Sequence, residues 1–264
     1  MAELSKYFAE DRVTYAAQGI VLYHFDNTKK VDFIRDMIIS VRDAYISNEK
    51  LSALENSTHK TRQELIRRRL PTEAKIISGD FGEILTFHIA IAHFASKANI
   101  KVKKWRFKDD KAKASPKTDI LLFYKSPEMT FSPDDTMYSI EVKTFASDPY
   151  NSKSAILNAV KDADVDRTSR AIETIDYFLT RIEDTGEYIE YYNDIERFGG
   201  AYYKQCNKSF NAMAIVDSAY LSKHIANIPA SMYTDYPGID IYSLPIEELY
   251  DTYTTVYQQV PTQA

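Results

Sequence analysis

The sequence predicts a mixed α/β (α+β) domain in which helices cover a central mixed sheet. Three observations carry this expectation. The middle of the chain reads helix, strand, strand, strand, helix, strand, the pattern of a sheet with helices layered against it. The 264 residues are 44% hydrophobic and 27% charged, enough to bury a sizeable core and unlike a disordered chain. No internal repeat or low-complexity tract interrupts the pattern.

Each element follows from local spacing. A short strand is expected at Ile20–Phe25. From Lys30 to Ile46, Val31, Ile34, Ile38, Val41 and Tyr45 recur at helical intervals. A polar, basic helix is expected from Thr58 to Leu70, stopping before Pro71. Asp80–Ala98 reads as a helix with an apolar stripe of Ile84, Leu85, His88, Ile91, Ala92 and Ala95. Strands are expected at Ile100–Phe107, Thr118–Tyr124 and Tyr138–Phe145, then a long helical stretch from Ser152 to Glu183 that contains a break. Phe210–Asp217 suits a buried strand. Ile239–Tyr242 is a further strand, and Ile246–Gln258 a last helix after Pro245.

Composition excludes several chemistries. Lys and Arg total 33 against 38 Asp and Glu, so nucleic-acid binding would need a local patch rather than the global field. The single cysteine, Cys206, excludes an internal disulfide and a cysteine-based zinc site. No apolar run reaches the length of a membrane span, and the N-terminus lacks a signal-peptide core, so a cytoplasmic protein without membrane contact is expected. No glycine-rich phosphate cradle and no HExxH, GxSxG or CxxC pattern is present. An ATP-driven motor, if the activity needs one, would sit on another chain.

The constellation that carries chemistry is Glu83, Asp119, Glu141 and Lys143. Glu83 is expected to open the first core helix, after Gly82, whose missing side chain permits close approach. Asp119 starts the second strand of the middle segment. Glu141 and Lys143 share one face of the third, while Ile140 and Val142 face apolar packing. Three carboxylates and an ammonium on adjacent elements suit Mg²⁺ or Mn²⁺, which bind hard oxygens and polarise phosphate.

This set, with 22 positions from Asp119 to Glu141 and a helix glutamate before them, resembles the PD-(D/E)XK nuclease superfamily over roughly residues 76–218. The resemblance implies an αβββαβ core, with an N-terminal region 1–75 and a C-terminal extension 219–264 around it. It implies Glu83, Asp119 and Glu141 as metal ligands, Val142 as a main-chain carbonyl ligand and Lys143 as the catalytic lysine. The superfamily proline is displaced, Pro116 preceding Asp119 by three positions, which leaves the ligand in place. The segments Gly79–Glu83, Trp105–Asp110 and Glu141–Thr144, and more loosely Phe33–Ser47 and the C-terminal end, resemble the HamA nuclease subunits of the Hachiman anti-phage system. That resemblance implies a DNA-cutting, Mg²⁺-dependent endonuclease, with Mn²⁺ able to substitute, in a hetero-oligomer with a superfamily 2 helicase. The alternatives are a stand-alone restriction-type endonuclease and a noncatalytic adaptor.

Charge is unevenly placed. Residues 101–117 hold eight Lys and Arg against two Asp, so Lys103, Lys104, Arg106, Lys108 and Lys117 are expected to rim the cleft and hold DNA phosphates, unless the run is merely a solvated loop. Trp105 would stack on a base or pack in the core. Arg67, Arg68 and Arg69 would hold phosphate or end a solvated helix. His88 and His93 are expected to pack or lie on the surface, not to ligate metal. Residues 185–264 hold ten acids, four bases and twelve of the twenty tyrosines, a surface for a protein partner or a share of the core.

Overall fold

The computed structural model describes residues 3–113, 117–128, 131–149 and 153–263. Pro116 and Ser152 therefore lie outside the described residues. In chain order come β1 (Phe8–Asp11), β2 (Ile20–Phe25), α1 (Lys30–Tyr45), α2 (Asn48–Thr58), α3 (Arg62–Arg69) and α4 (Ala74–Ala92). Then follow β3 (Ile100–Lys101), β4 (Ile120–Tyr124), β5 (Thr136–Phe145), α5 (Ala155–Val165), α6 (Ala171–Thr185) and α7 (Tyr192–Glu196). The chain closes with β6 (Asn207–Asp217), α8 (Leu221–Ala226), α9 (Met232–Asp235), β7 (Ile239–Ile246) and α10 (Leu249–Gln263).

The strands of the described residues form one seven-stranded mixed sheet in the order β1-β2-β7-β6-β5-β4-β3. β5, β6, β7 and β2 run parallel to their neighbours, and the two ends of the sheet are antiparallel. The expected order of the middle segment is present. The same sheet also takes β1 and β2 from residues 1–75 and β7 from residues 219–264.

Each face of the sheet carries its own core. On one, Phe81, Ile84 and Leu85 of α4 pack with Ile140 and Val142 of β5, joined by α1 and by Tyr253, Val256 and Tyr257 of α10. On the other, Ile156, Ala159 and Val160 of α5 and Ile175 and Phe178 of α6 cover Leu121, Ala212 and Ala214. The connection between parallel β5 and β6 runs through α5 and α6, the layered crossover that parallel pairing requires. Its break is a π-helical stretch, Asp166–Arg170.

Several boundaries differ from those expected, each for a physical reason. α4 begins at Ala74 rather than Asp80, because its two glycines lie inside the helix. Gly82 is there for contact: a Cβ on it would lie 1.9 Å from Thr144 Oγ1 of β5. Only glycine lets helix and strand approach this closely. The strand expected over Ile100–Phe107 ends at Lys101, and Lys104–Phe107 form a 3₁₀ turn. β7 runs through Pro245 to Ile246; the proline lies beyond the β2 ladder, which ends at Leu22↔Ser243. α10 accordingly starts at Leu249. Val31 was expected on the buried stripe of α1 but is 82% exposed; Ile38, Val41 and Tyr45 are buried as expected, and Phe33 and Met37 join them. α2 and β1 had no expected counterpart, and the basic helix is shorter, starting at a Thr61–Glu64 capping box.

Candidate active site

The site forms where the β4–β5 ladder stops. Ile120 pairs with Ile140, and no β4 residue lies opposite Glu141 or Lys143. Asp119 fills the gap: its Oδ2 accepts the Val142 N–H at 2.8 Å, and its own N–H donates to Glu141 Oε1 at 3.3 Å. The alternation of β5 sends Ile140 and Val142 under α4 and Glu141 and Lys143 towards α5. Lys143 Nζ lies 3.3 Å from Glu141 Oε2 and 2.7 Å from Asp162 of α5.

Glu83 lies on the other side of the sheet. It sits in the third turn of α4 rather than at the start, and Oε2 accepts from Trp105 Nε1 at 3.1 Å. Lys104 Nζ connects the two halves, 3.2 Å from Glu83 Oε2 and 3.6 Å from Asp119 Oδ1, while donating to the Thr118 carbonyl at 3.1 Å. Asp119, Glu141 and Lys143 therefore meet directly, and Glu83 reaches them only through Lys104. The 3₁₀ turn explains why Lys104 and Trp105 both point inward, where a strand would have sent them to opposite faces.

The surroundings push the two central carboxyls apart. Burial raises the Glu141 carboxyl well above the usual carboxylate range, reinforced by Asp119 and Asp166 and opposed by Lys143 and Arg170. Burial also works to raise Asp119, but the Lys104 and Lys143 ammoniums and the Val142 N–H outweigh it, and the carboxyl ends below its ordinary value. Glu83 is pushed up to about 8 by burial, against the pull of Lys104. Lys143 is held above the ordinary lysine range: burial lowers it, and Asp119, Glu141 and Asp162 more than compensate. One carboxylate that keeps its charge beside one that holds a proton readily is the asymmetry acid–base chemistry uses.

Several contributors escaped the sequence reading. Arg170 lies 2.7 Å from Glu141 Oε1 and pairs with the buried Asp166, which also accepts from Ser139 Oγ at 2.7 Å and Thr118 Oγ1 at 3.0 Å. Asp162, Asp166 and Arg170 are spaced four apart, the interval that places side chains on one helical face. That spacing was the available clue. Asp80, one turn before Glu83, takes hydrogen bonds from Tyr45 and Lys108 in a buried network with no such pattern.

The basic run does not stand free at a cleft rim. Lys103 pairs with Asp43, and Arg106 lies 3.4 Å from Asp43 and 3.5 Å from Glu187. Lys104 is 2% exposed, and Lys108 lies 2.5 Å from Asp80. Lys117 is partly exposed and pairs with Glu173 at 2.6 Å. The buried acids Asp80, Glu83 and Asp119 draw Lys104 and Lys108 inward, so their charge is spent inside the domain. Trp105 is core, as are His88 and Cys206. Of the tyrosines in residues 185–264, Tyr242, Tyr253 and Tyr257 pack inside, and Tyr202 and Tyr250 are exposed.

Among the described residues, no three of His, Cys, Asp and Glu converge as a metal set. Mg²⁺ needs less, since it keeps several waters and binds through one or two carboxylates with substrate phosphate. Asp119 and Glu141 supply such a pair. The Val142 carbonyl faces the same edge as its own N–H, which points at Asp119. Glu83 fits the set less well, because it lies on the other side of the sheet, with Lys104 between it and Asp119.

Among the described residues no helix is long and apolar enough to cross a membrane. No curated protein matches the chain. The HamA family model, however, matches residues 7–260, nearly the whole chain and every strand of the sheet. The chain thus belongs to the HamA family, which is associated with Hachiman anti-phage defence.

Proposed function

We propose that the chain is a metal-dependent DNA endonuclease of PD-(D/E)XK type, the effector partner of a superfamily 2 helicase in that defence. The observation that carries this reading is the meeting of Asp119, Glu141 and Lys143 at the end of the β4–β5 ladder, with the two carboxyls driven in opposite directions. Asp119 and Glu141, with the Val142 carbonyl, would hold Mg²⁺, or Mn²⁺ in its place. Bound there, the ion would polarise the scissile phosphate and favour the deprotonated form of an attacking water.

The remaining work falls to the chain itself. Asp119 keeps its negative charge near neutral pH because two ammoniums face it, so it enters the reaction as an oxygen ligand. Lys143 is held protonated and, aimed by Asp162 and Glu141, offers positive charge to the extra negative charge of a pentavalent phosphate. Arg170 keeps Glu141 in place from the opposite side. The chain has no phosphate cradle for ATP, which leaves the motor to the helicase. The acidic residues 185–264, with exposed Tyr202 and Tyr250, suit a protein contact better than DNA.

Cleavage of a labelled DNA duplex by the full chain, with its helicase partner present, tests this reading. EDTA is expected to abolish cutting, and added Mg²⁺ or Mn²⁺ to restore it. Cutting that persists in EDTA would reject the metal-dependent mechanism.

A further inference from the structure

Of the cations expected at a nucleic-acid surface, Lys103, Lys104, Arg106 and Lys108 turn inward and Lys117 pairs with Glu173, while a different set remains free outside. Arg68 and Arg69 end α3, a helix fixed by the Thr61–Glu64 capping box and by buried Leu65 and Ile66. Both arginines are exposed, as is Lys50 on α2, and none of the three has an ion-pair partner among the described residues.

These side chains line two cavities that both border Tyr45. The larger, 320 Å³, is bounded by Arg68, Arg69, Lys108 and Lys111, with Trp105 as part of its wall. The smaller, 100 Å³, is bounded by Lys50, Arg69 and Arg106. Arg69 and Tyr45 belong to both. Asp109 and Asp110 also face the larger cavity, but Asp109 is held by Arg181 at 2.6 Å and Asp110 by Lys113 at 3.4 Å. Glu187 in the smaller is turned towards Arg106. The uncommitted charge is therefore positive, on a chain whose net charge is -5.

The placement relates this charge to the candidate active site. Trp105 lines the larger cavity and its N–H holds Glu83, which Lys104 links to Asp119. A mainly charged lining selects an anion rather than an apolar ligand. Two adjoining cavities that share an arginine select a ligand with repeated negative charge. Resting on the nuclease reading above, we infer that Arg68 and Arg69, with Lys50, hold successive phosphates of a nucleic-acid strand on the Glu83 side of the sheet, joined to the catalytic cluster through Lys104. Such contacts position the strand without reading its sequence.

The test is binding, separated from cutting. Fluorescence anisotropy of a labelled DNA duplex and of its single strand, in EDTA and over a range of salt, compares the full wild-type chain with an Arg68→Glu/Arg69→Glu variant. The variant is expected to bind about tenfold more weakly or worse, with a salt slope shallower by about two, one per lost phosphate contact. Arg68→Lys/Arg69→Lys should keep most of the affinity. If the Glu variant melts early, Arg68→Gln/Arg69→Gln carries the same comparison. Unchanged affinity and slope would overturn the inference. So would unchanged DNA binding together with loss of the helicase complex, which would make the groove a dock for an acidic protein surface. A wild type that binds through these arginines yet cuts nothing would reject the nuclease reading and leave the groove standing. A wild type that cuts while both variants bind normally would remove the groove alone.

Discussion

Lys143→Ala is expected to slow single-turnover DNA cleavage by about two to three orders of magnitude, the usual loss when one preorganised positive group is withdrawn from a transition state. The protein should remain folded. Glu141 keeps Arg170 at 2.7 Å, and Lys143 is partly solvated, so the lost ion pairs cost about 1 kcal/mol after screening. Asp162 and Glu141 both hold the Lys143 ammonium in the wild type. An unchanged rate would remove Lys143 from the chemistry. An unfolded variant would make it a structural ion-pair member instead.

Lys104→Met is expected to have the largest effect on stability. Lys104 is 2% exposed and bridges Glu83 and Asp119, so its removal leaves the Asp119 carboxylate in the interior without its buried ion-pair partner. Breaking a buried ion pair from one side typically costs about 3–5 kcal/mol. Urea unfolding should show the midpoint falling at an unchanged slope. Adding Asp119→Asn should recover part of the loss, since the stranded charge is then gone. A midpoint shift worth less than about 1 kcal/mol would show that Lys104 carries little of the connection between the two faces of the sheet.

The frame was legible wherever one periodicity dominated. Ile20–Phe25, Thr118–Tyr124 and Phe210–Asp217 alternate or run apolar, and each is a strand within a few residues of its expected bounds. Lys30–Tyr45 is helical as spaced. Glu141 and Lys143 could be placed on a common face because strand alternation needs no tertiary information. The misreadings share a cause: a contact made elsewhere in the fold overrides local preference. Gly79 and Gly82 look like a helix boundary until Thr144 is seen to require a glycine at position 82, inside the helix. Lys103, Lys104, Arg106 and Lys108 look like a phosphate-binding rim until Asp43, Asp80 and Glu83 are seen beneath them. The acids come from α1 and α4, distant in sequence, and nothing in residues 101–117 announces them. Asp162, Asp166 and Arg170 were within reach, since their spacing survives the π-helical stretch.

Divalent-cation binding at Asp119 and Glu141 is open to direct measurement by titrating Mn²⁺ into the full chain and following the loss of its free electron-paramagnetic-resonance signal. The wild type should show a site that is lost in both Asp119→Asn and Glu141→Gln, and that Glu83→Gln weakens far less, because Lys104 separates that carboxyl from the pair. Equal Mn²⁺ binding by the wild type and by an Asp119→Asn/Glu141→Gln double variant would contradict the assignment of the metal to this pair.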